Sequence, residues 1–302
     1  MKKIFLFLFI SLKLFGAVVE APIKGINDDA TEVTVEVEKI DVGVSGFIVH
    51  EISQGHTTIL KNAVVKSFDE KSKIAKVAIS EYDALNSGAL PDGKWEVKVG
   101  DMAVLAFGYT RGLLIAPNED IYYRVTKNSK LQWVHPDIFA TLLSFNGHPT
   151  PIRSDFTQMS VESSVGLVFI YLDERVYTLD AKSFNILAIT DAKLEQKETN
   201  LPFYTRVPRI NANWWGDGSD ELEEYEPYYY ELMLIANPQN KELHEILKSG
   251  SKKLKELLEE FNSGGIKHNK QKVFKPFEVF KSSEEFNSGG IKNDKQKVFK
   301  PF

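Results

Sequence analysis

From Thr31 the chain alternates strictly: Val33, Val35 and Val37 fall on one side, Thr34, Glu36 and Glu38 on the other. A period of two is the signature of a β-strand with one buried face, and it forbids a helix across the same residues. Short segments of strand character follow at close spacing, over residues 46–52, 57–60, 73–79, 94–99, 102–107 and 111–115. Turn-forming runs separate them, among them Asp69-Glu70-Lys71, Pro91-Asp92-Gly93 and Gly100-Asp101. Many short strands with regular turn signals predict a small antiparallel β-barrel or sandwich, placed at residues 30–126 with residues 17–29 as a linker before it.

The next stretch reads differently. Pro136-Asp137 opens a helical pattern carried by Ile138, Phe139, Leu142, Leu143 and Phe145, and Gly147 closes it. Residues 154–164 predict a second short helix capped by Ser154 or Asp155. Strands then follow over residues 165–172, 176–179 and 184–189, turning at Asp173-Glu174-Arg175 and Asp180-Ala181-Lys182. Two helices and an antiparallel meander make residues 127–205 a small α+β unit. The fold class is therefore mainly β with α+β.

Residues 206–236 are acidic and aromatic, with Trp214, Trp215 and Tyr228 to Tyr230 around a run of carboxylates from Asp217 to Glu226. The acids do not recur at alternate positions before a glycine, as a calcium loop of the EF-hand type requires, so they read as a solvated loop. The aromatics read as packing back onto the body, with a sugar or peptide platform as the alternative. Residues 237–261 predict helices: Asn237-Pro238 starts one, Gly250 interrupts it, and Ser251 starts another carrying Leu254, Leu257, Leu258 and Phe261.

Residues 262–302 belong to a duplication. Residues 259–277 and 284–302 share one sequence except at His268/Asn293 and Asn269/Asp294. Lysines, a Gly-Gly pair and a proline in each copy leave few residues for a core, which predicts a segment without a stable fold. Charge divides at the same place. Residues 251–302 hold 12 lysines against 7 acids, and residues 1–250 hold 25 basic against 35 acidic residues. An acidic body with a basic tail points to separate roles.

The first residues set the compartment. Lys2 and Lys3 precede an apolar run from Ile4 to Leu12, and small residues gather at Gly16-Ala17. That order predicts a secretory signal peptide over residues 1–16. The run is broken by Lys13 and falls short of the about 20 apolar residues of a transmembrane helix. No later run is longer, so the mature chain is expected without a transmembrane segment, in the periplasm, at the outer membrane or on the cell surface. The sequence has no cysteine, which excludes disulfides, a thiol nucleophile and a lipidated N-terminal Cys.

Little here suggests catalysis. The six histidines fall into no HExxH or paired metal spacing, and neither a Gly-x-Ser-x-Gly elbow nor a glycine-rich phosphate loop is present. The expectation is a binding protein, not an enzyme, with no cofactor, no metal and no nucleic-acid partner.

One stretch resembles a known family. The run Gly100-Asp101-Met102-Ala103-Val104-Leu105-Ala106-Phe107-Gly108-Tyr109 continues through Leu113-Leu114-Ile115-Ala116-Pro117-Asn118-Glu119-Asp120-Ile121-Tyr122-Tyr123-Arg124. With Gly55 to Ala63 and Trp133 to Asp137, it is similar to the N-terminal domain of the plasminogen-binding protein PgbA family, over roughly residues 17–235. The resemblance implies an envelope or surface protein that captures host plasminogen through lysines recognised by kringle domains. The residues it points to are Lys252 with Glu256 and Lys255 with Glu259 on the predicted helix. In the repeats they are Lys267, Lys270, Lys272 and Lys275, then Lys292, Lys295, Lys297 and Lys300. The sequence ends on Phe302, so a lysine beside a carboxylate has to imitate the two ends of a C-terminal lysine. The alternative is a periplasmic structural or assembly protein that binds another envelope protein.

Overall fold

A computed structural model describes residues 18–82, 95–127 and 129–265. The signal-peptide segment 1–16 and the repeat lysines from Lys267 onward lie outside the described residues.

Six strands close an antiparallel barrel: β1 (Val19–Ile26), β2 (Glu32–Glu36), β3 (Ser45–Ser53), β4 (His56–Asp69), β5 (Ile74–Glu81) and β6 (Met102–Leu105). They run in the spatial order β1-β2-β5-β4-β3-β6, with β6 pairing back onto β1. Val33 and Val35 are fully buried and Val37 nearly so, while Glu36 and Glu38 are exposed, as the alternation requires. Across the β2–β5 ladder, Val33 faces Val77 and Val35 faces Ala75, so small apolar side chains fill the barrel. Gly46 is needed where β3 meets β6, because a Cβ there would lie 2.1 Å from the Val104 carbonyl oxygen.

Residues 17–29, expected as a linker, instead carry β1. Pro22, Lys24 and Gly25 dilute its apolar signal, yet Ala21 and Ile23 point into the barrel. The barrel also ends earlier than residue 126, at Leu105. The expected strand at 111–115 exists as β7 (Arg111–Ile115) but joins the second sheet, and α1 (Glu119–Thr126) follows it. Residues 95–98, expected within a strand, carry no strand assignment and lead into β6.

The second sheet has the order β11-β10-β9-β7-β8, built from β7, β8 (Gln132–Val134), β9 (Leu167–Leu172), β10 (Arg175–Asp180) and β11 (Ile186–Asp191). β7 pairs in parallel with β8 and β9, and β9, β10 and β11 form the expected antiparallel meander. All six residues of β9 are buried, because both faces of the sheet are covered. Val168, Ile170 and Leu172 pack with the helices α2 (Pro136–Asn146), α3 (Arg153–Ser163), α4 (Tyr225–Ala236), α5 (Lys241–Ser249) and α6 (Lys252–Asn262). Leu167, Phe169 and Tyr171 face the other way, into a core continuous with the barrel interior.

Helix ends follow their caps. His135 Nδ1 accepts the Asp137 N–H at 3.2 Å, Pro136 takes the first helical position, and Gly147 ends α2 at φ +71°. α3 starts one residue earlier than expected, with Ile152 at its N-cap. Asp155 still acts there, accepting the Ile152 N–H at 2.8 Å. The helix expected from Asn237-Pro238 is α5, which starts later, at Lys241, and ends at Gly250 as expected. A further, unexpected helix, α4, precedes it from Tyr225 and is terminated by Asn237. Pro227 looks like a breaker in sequence but sits in the first turn of α4, where its missing N–H has no intrahelical partner to lose. Asn240 and Ser251 cap α5 and α6 through the N–H groups of Leu243 and Leu254.

Candidate binding surface on the last helices

α5 and α6 are two short amphipathic helices laid on the second core. Leu243 and Leu247 of α5 and Leu254 and Leu258 of α6 are buried in the cluster that contains Tyr229, Tyr230 and Met233 of α4. Their spacing of four residues places them on one face of each helix. The opposite face of α6 carries the charges: Lys252, Lys253, Lys255, Glu256, Glu259 and Glu260 are all exposed.

Of the expected pairs on α6, Lys252 and Glu256 meet, with Nζ 3.3 Å from Oε1 and side chains 90% and 58% exposed. Lys255 and Glu259 share the spacing and the exposure, but no ion pair between them falls within 4.0 Å among the described residues. Lys253, which the spacing argument does not single out, reaches Glu224 at the start of α4, Nζ to Oε1 2.5 Å. On α5, Lys248 meets Glu245 at 2.7 Å and holds its carboxyl below the ordinary glutamate range through a hydrogen bond and the ammonium charge. Such exposed pairs contribute about 0–1 kcal/mol, so a partner that competes for either member meets little resistance. The face therefore offers three lysines over residues 252–255 and three glutamates over residues 256–260, on a helix anchored by Leu254 and Leu258.

The acidic–aromatic segment divides in two. The Tyr228 and Tyr229 hydroxyls donate to the carbonyls of Pro151 and Pro202, and the Tyr230 hydroxyl donates to Asp173, so these three pack onto the body as expected. Trp214 and Trp215 do not: they are 98% and 81% exposed. Asn213 and Gly218 on either side of them bond to the loop after α2. Two of the histidines serve structural joints. His50 meets Asp101 at 2.6 Å, and His148 meets the buried Asp155 at 2.8 Å.

A family model described as the N-terminal part of the plasminogen-binding protein PgbA matches residues 18–233. The chain belongs to the PgbA N-terminal family. The match takes in the whole barrel, the second sheet and most of α4, and it stops before α5 and α6. A curated relative, the plasminogen-binding protein PgbA of Helicobacter pylori, is 25% identical over 198 residues, 64% of this chain and 43% of the relative. The chain thus spans less than half the length of that relative. No solved structure matches. All twelve binding residues expected from the sequence lie outside the matched segment.

Proposed function

We propose that this PgbA-family chain is an exported cell-envelope binding protein, not an enzyme, and that it captures plasminogen through lysines set beside carboxylates. The observation that carries the reading is the outer face of α6, where Lys252, Lys255, Glu256 and Glu259 stand exposed on a helix anchored by Leu254 and Leu258. A kringle site takes a cation with a nearby anion, and this face supplies both within one helical turn. The repeat lysines, Lys267, Lys270, Lys272 and Lys275 with Lys292, Lys295, Lys297 and Lys300, add the same group in two copies, so modest single contacts sum by avidity.

Binding of the purified chain to immobilised plasminogen tests this, with and without 6-aminohexanoate as a lysine analogue. The analogue should abolish binding, and replacing Lys252, Lys255 and the eight repeat lysines by Gln should do the same. Substitution is a cleaner test than deleting residues 251–302, because deletion also strips Leu254 and Leu258 from the core. Binding that survives both treatments would overturn the lysine mechanism. Export is tested separately: the mature chain recovered from cells should begin at Ala17.

A second reading follows from the limits of the family match. The matched segment is the barrel and sheet, without α6 and the repeats, which supports an envelope role of the body in binding another envelope protein. Protease shaving of intact cells separates the two readings. It removes a surface-exposed plasminogen receptor and spares a periplasmic protein.

A further inference from the structure

Between the barrel and the C-terminal end of α3 lies a cleft of about 470 Å³, within the roughly 300–1,000 Å³ of small-ligand sites. Its walls are mostly apolar. Phe47, Val104 and Phe107 line it from the barrel side, and Val161 and Val165 from α3 and the strand connection after it. Phe47 meets both Tyr82 and Phe107 edge-to-face at 5.6 Å, which stiffens that wall.

One cation sits among these groups. Lys182, in the β10–β11 turn, is half-buried and holds Nζ 3.6 Å from the Phe47 ring centre. No carboxylate lies within 4.0 Å of this ammonium among the described residues. The nearest acid in sequence, Asp180, is filled by donors from Ser45, Tyr109, Lys182 N–H and Ser183. Glu20 is the other ionisable side chain of the lining besides Tyr82, and it is exposed to solvent. Ser160, buried on α3, also lines the cleft, and its hydroxyl makes no hydrogen bond to any described residue. Burial pulls the lysine down to about 8, against the pull of Asp180.

A partly buried cation with no carboxylate in direct contact keeps an uncompensated charge, and the mostly apolar cleft around it selects what can relieve that cost. A polyanion such as a nucleotide needs several donors and finds one cation. A neutral hydrocarbon leaves the cation as it was. We propose that this cleft binds a small amphiphilic carboxylate, an apolar chain or ring bearing a single anionic group, with Lys182 as the partner of the anion. Ser160 is placed to donate a second hydrogen bond, and Phe47 and Phe107 cover the apolar body.

Titration calorimetry on the full chain tests this with three probes: octanoate, 3-phenylpropionate and octan-1-ol. At least one carboxylate should bind, the two distinguishing a linear from a ring-shaped body. Octan-1-ol should bind about tenfold or more weakly, since a charge-assisted hydrogen bond is lost. Lys182→Met should weaken carboxylate binding by a similar factor, and Lys182→Arg should retain it. Val161→Trp, at a half-exposed wall position, should fill the cleft and abolish binding by every probe. Absence of binding by both carboxylates, equal binding of octanoate and octan-1-ol, or undiminished binding to folded Lys182→Met overturns the proposal.

Discussion

Asp180 is the joint between the barrel and the second sheet, and its removal should be the most damaging single change in the molecule. The residue is fully buried at the end of β10. Its Oδ2 accepts the Ser45 N–H at 2.9 Å, the Ser45 hydroxyl at 2.7 Å and the Tyr109 hydroxyl at 2.7 Å, drawing in the first residue of β3 and the loop before β7. Its Oδ1 accepts the N–H groups of Lys182 and Ser183 at 3.0 and 2.7 Å and shapes the β10–β11 turn. Ser183 then donates to the Gly43 carbonyl at 2.6 Å, a second tie to the barrel. Hydrogen bonds to a charged group contribute about 1.5–3 kcal/mol each, and they are not additive within one network. Asp180→Ala orphans three backbone N–H groups away from water, so a loss of about 4–5 kcal/mol is expected. Asp180→Asn keeps an acceptor for the turn but turns an amide donor toward Ser45 N–H, and should cost about 2 kcal/mol. Urea denaturation at neutral pH with unchanged m-values measures both. If Asp180→Ala costs less than about 1 kcal/mol, the joint is not where the two units are held together.

Three further outcomes follow from the same structure. Val35→Ala, at a fully buried position facing Ala75 inside the barrel, should cost about 2 kcal/mol in the same assay, while Thr34→Ala on the outer face should stay within about 0.5 kcal/mol. Lys182 is lowered from 10.5 to about 8 in the folded chain, so between pH 8 and 10.5 the unfolded chain binds the extra proton and stability should rise with pH. Lys182→Met should flatten that rise in a pH series of thermal melts, and an unchanged slope would assign it to other groups. Truncation after residue 265 should leave the melting temperature nearly unchanged, whereas truncation before Ser251 exposes the sites of Leu254 and Leu258 and should cost about 3–6 kcal/mol.

What the sequence shows and hides has physical causes. The valines of β2 announce themselves because one face meets a core and the other meets water, so burial imprints a period of two. β9 reads as a plain apolar run because both its faces are covered, and the sheet it centres becomes visible through its neighbours. β1 is hidden for another reason: barrel closure lets a strand with proline, lysine and glycine survive between two partners, and pairing across residues 19–105 leaves no local mark. Whether a strand such as β7 joins the barrel or the next sheet is equally non-local. Of the candidate binding residues, those on α6 are legible because i,i+4 spacing is a property of the helix alone. Lys182 is not, since in sequence it is one polar residue in a turn. Only the fold sets Phe47 and Val161, each from a different element, around it.

The end of the family match bears on how binding and folding relate. The matched segment closes inside α4, yet the core under α4 is completed by Leu243 and Leu247 of α5 and Leu254 and Leu258 of α6. Without these leucines, the buried side chains of α4 among them would face water, so α5 and α6 act as a structural cover in this chain. The inward side of α6 is committed to that cover, and its other side is left to charge. Lysines on such a helix are presented on a fixed backbone, with their stems held by a helix that cannot turn without opening the core. A partner that recognises a cation and a carboxylate together then meets a surface whose backbone ordering is already part of folding, which lowers the entropic cost of each contact. Under the proposed lysine mechanism, the repeat lysines, set in a sequence with few core-forming residues, would contribute through number. Gln at Lys252 and Lys255 should therefore weaken plasminogen binding more per residue than Gln at any two repeat lysines. Equal effects per lysine would mean that charge alone, without presentation, governs capture.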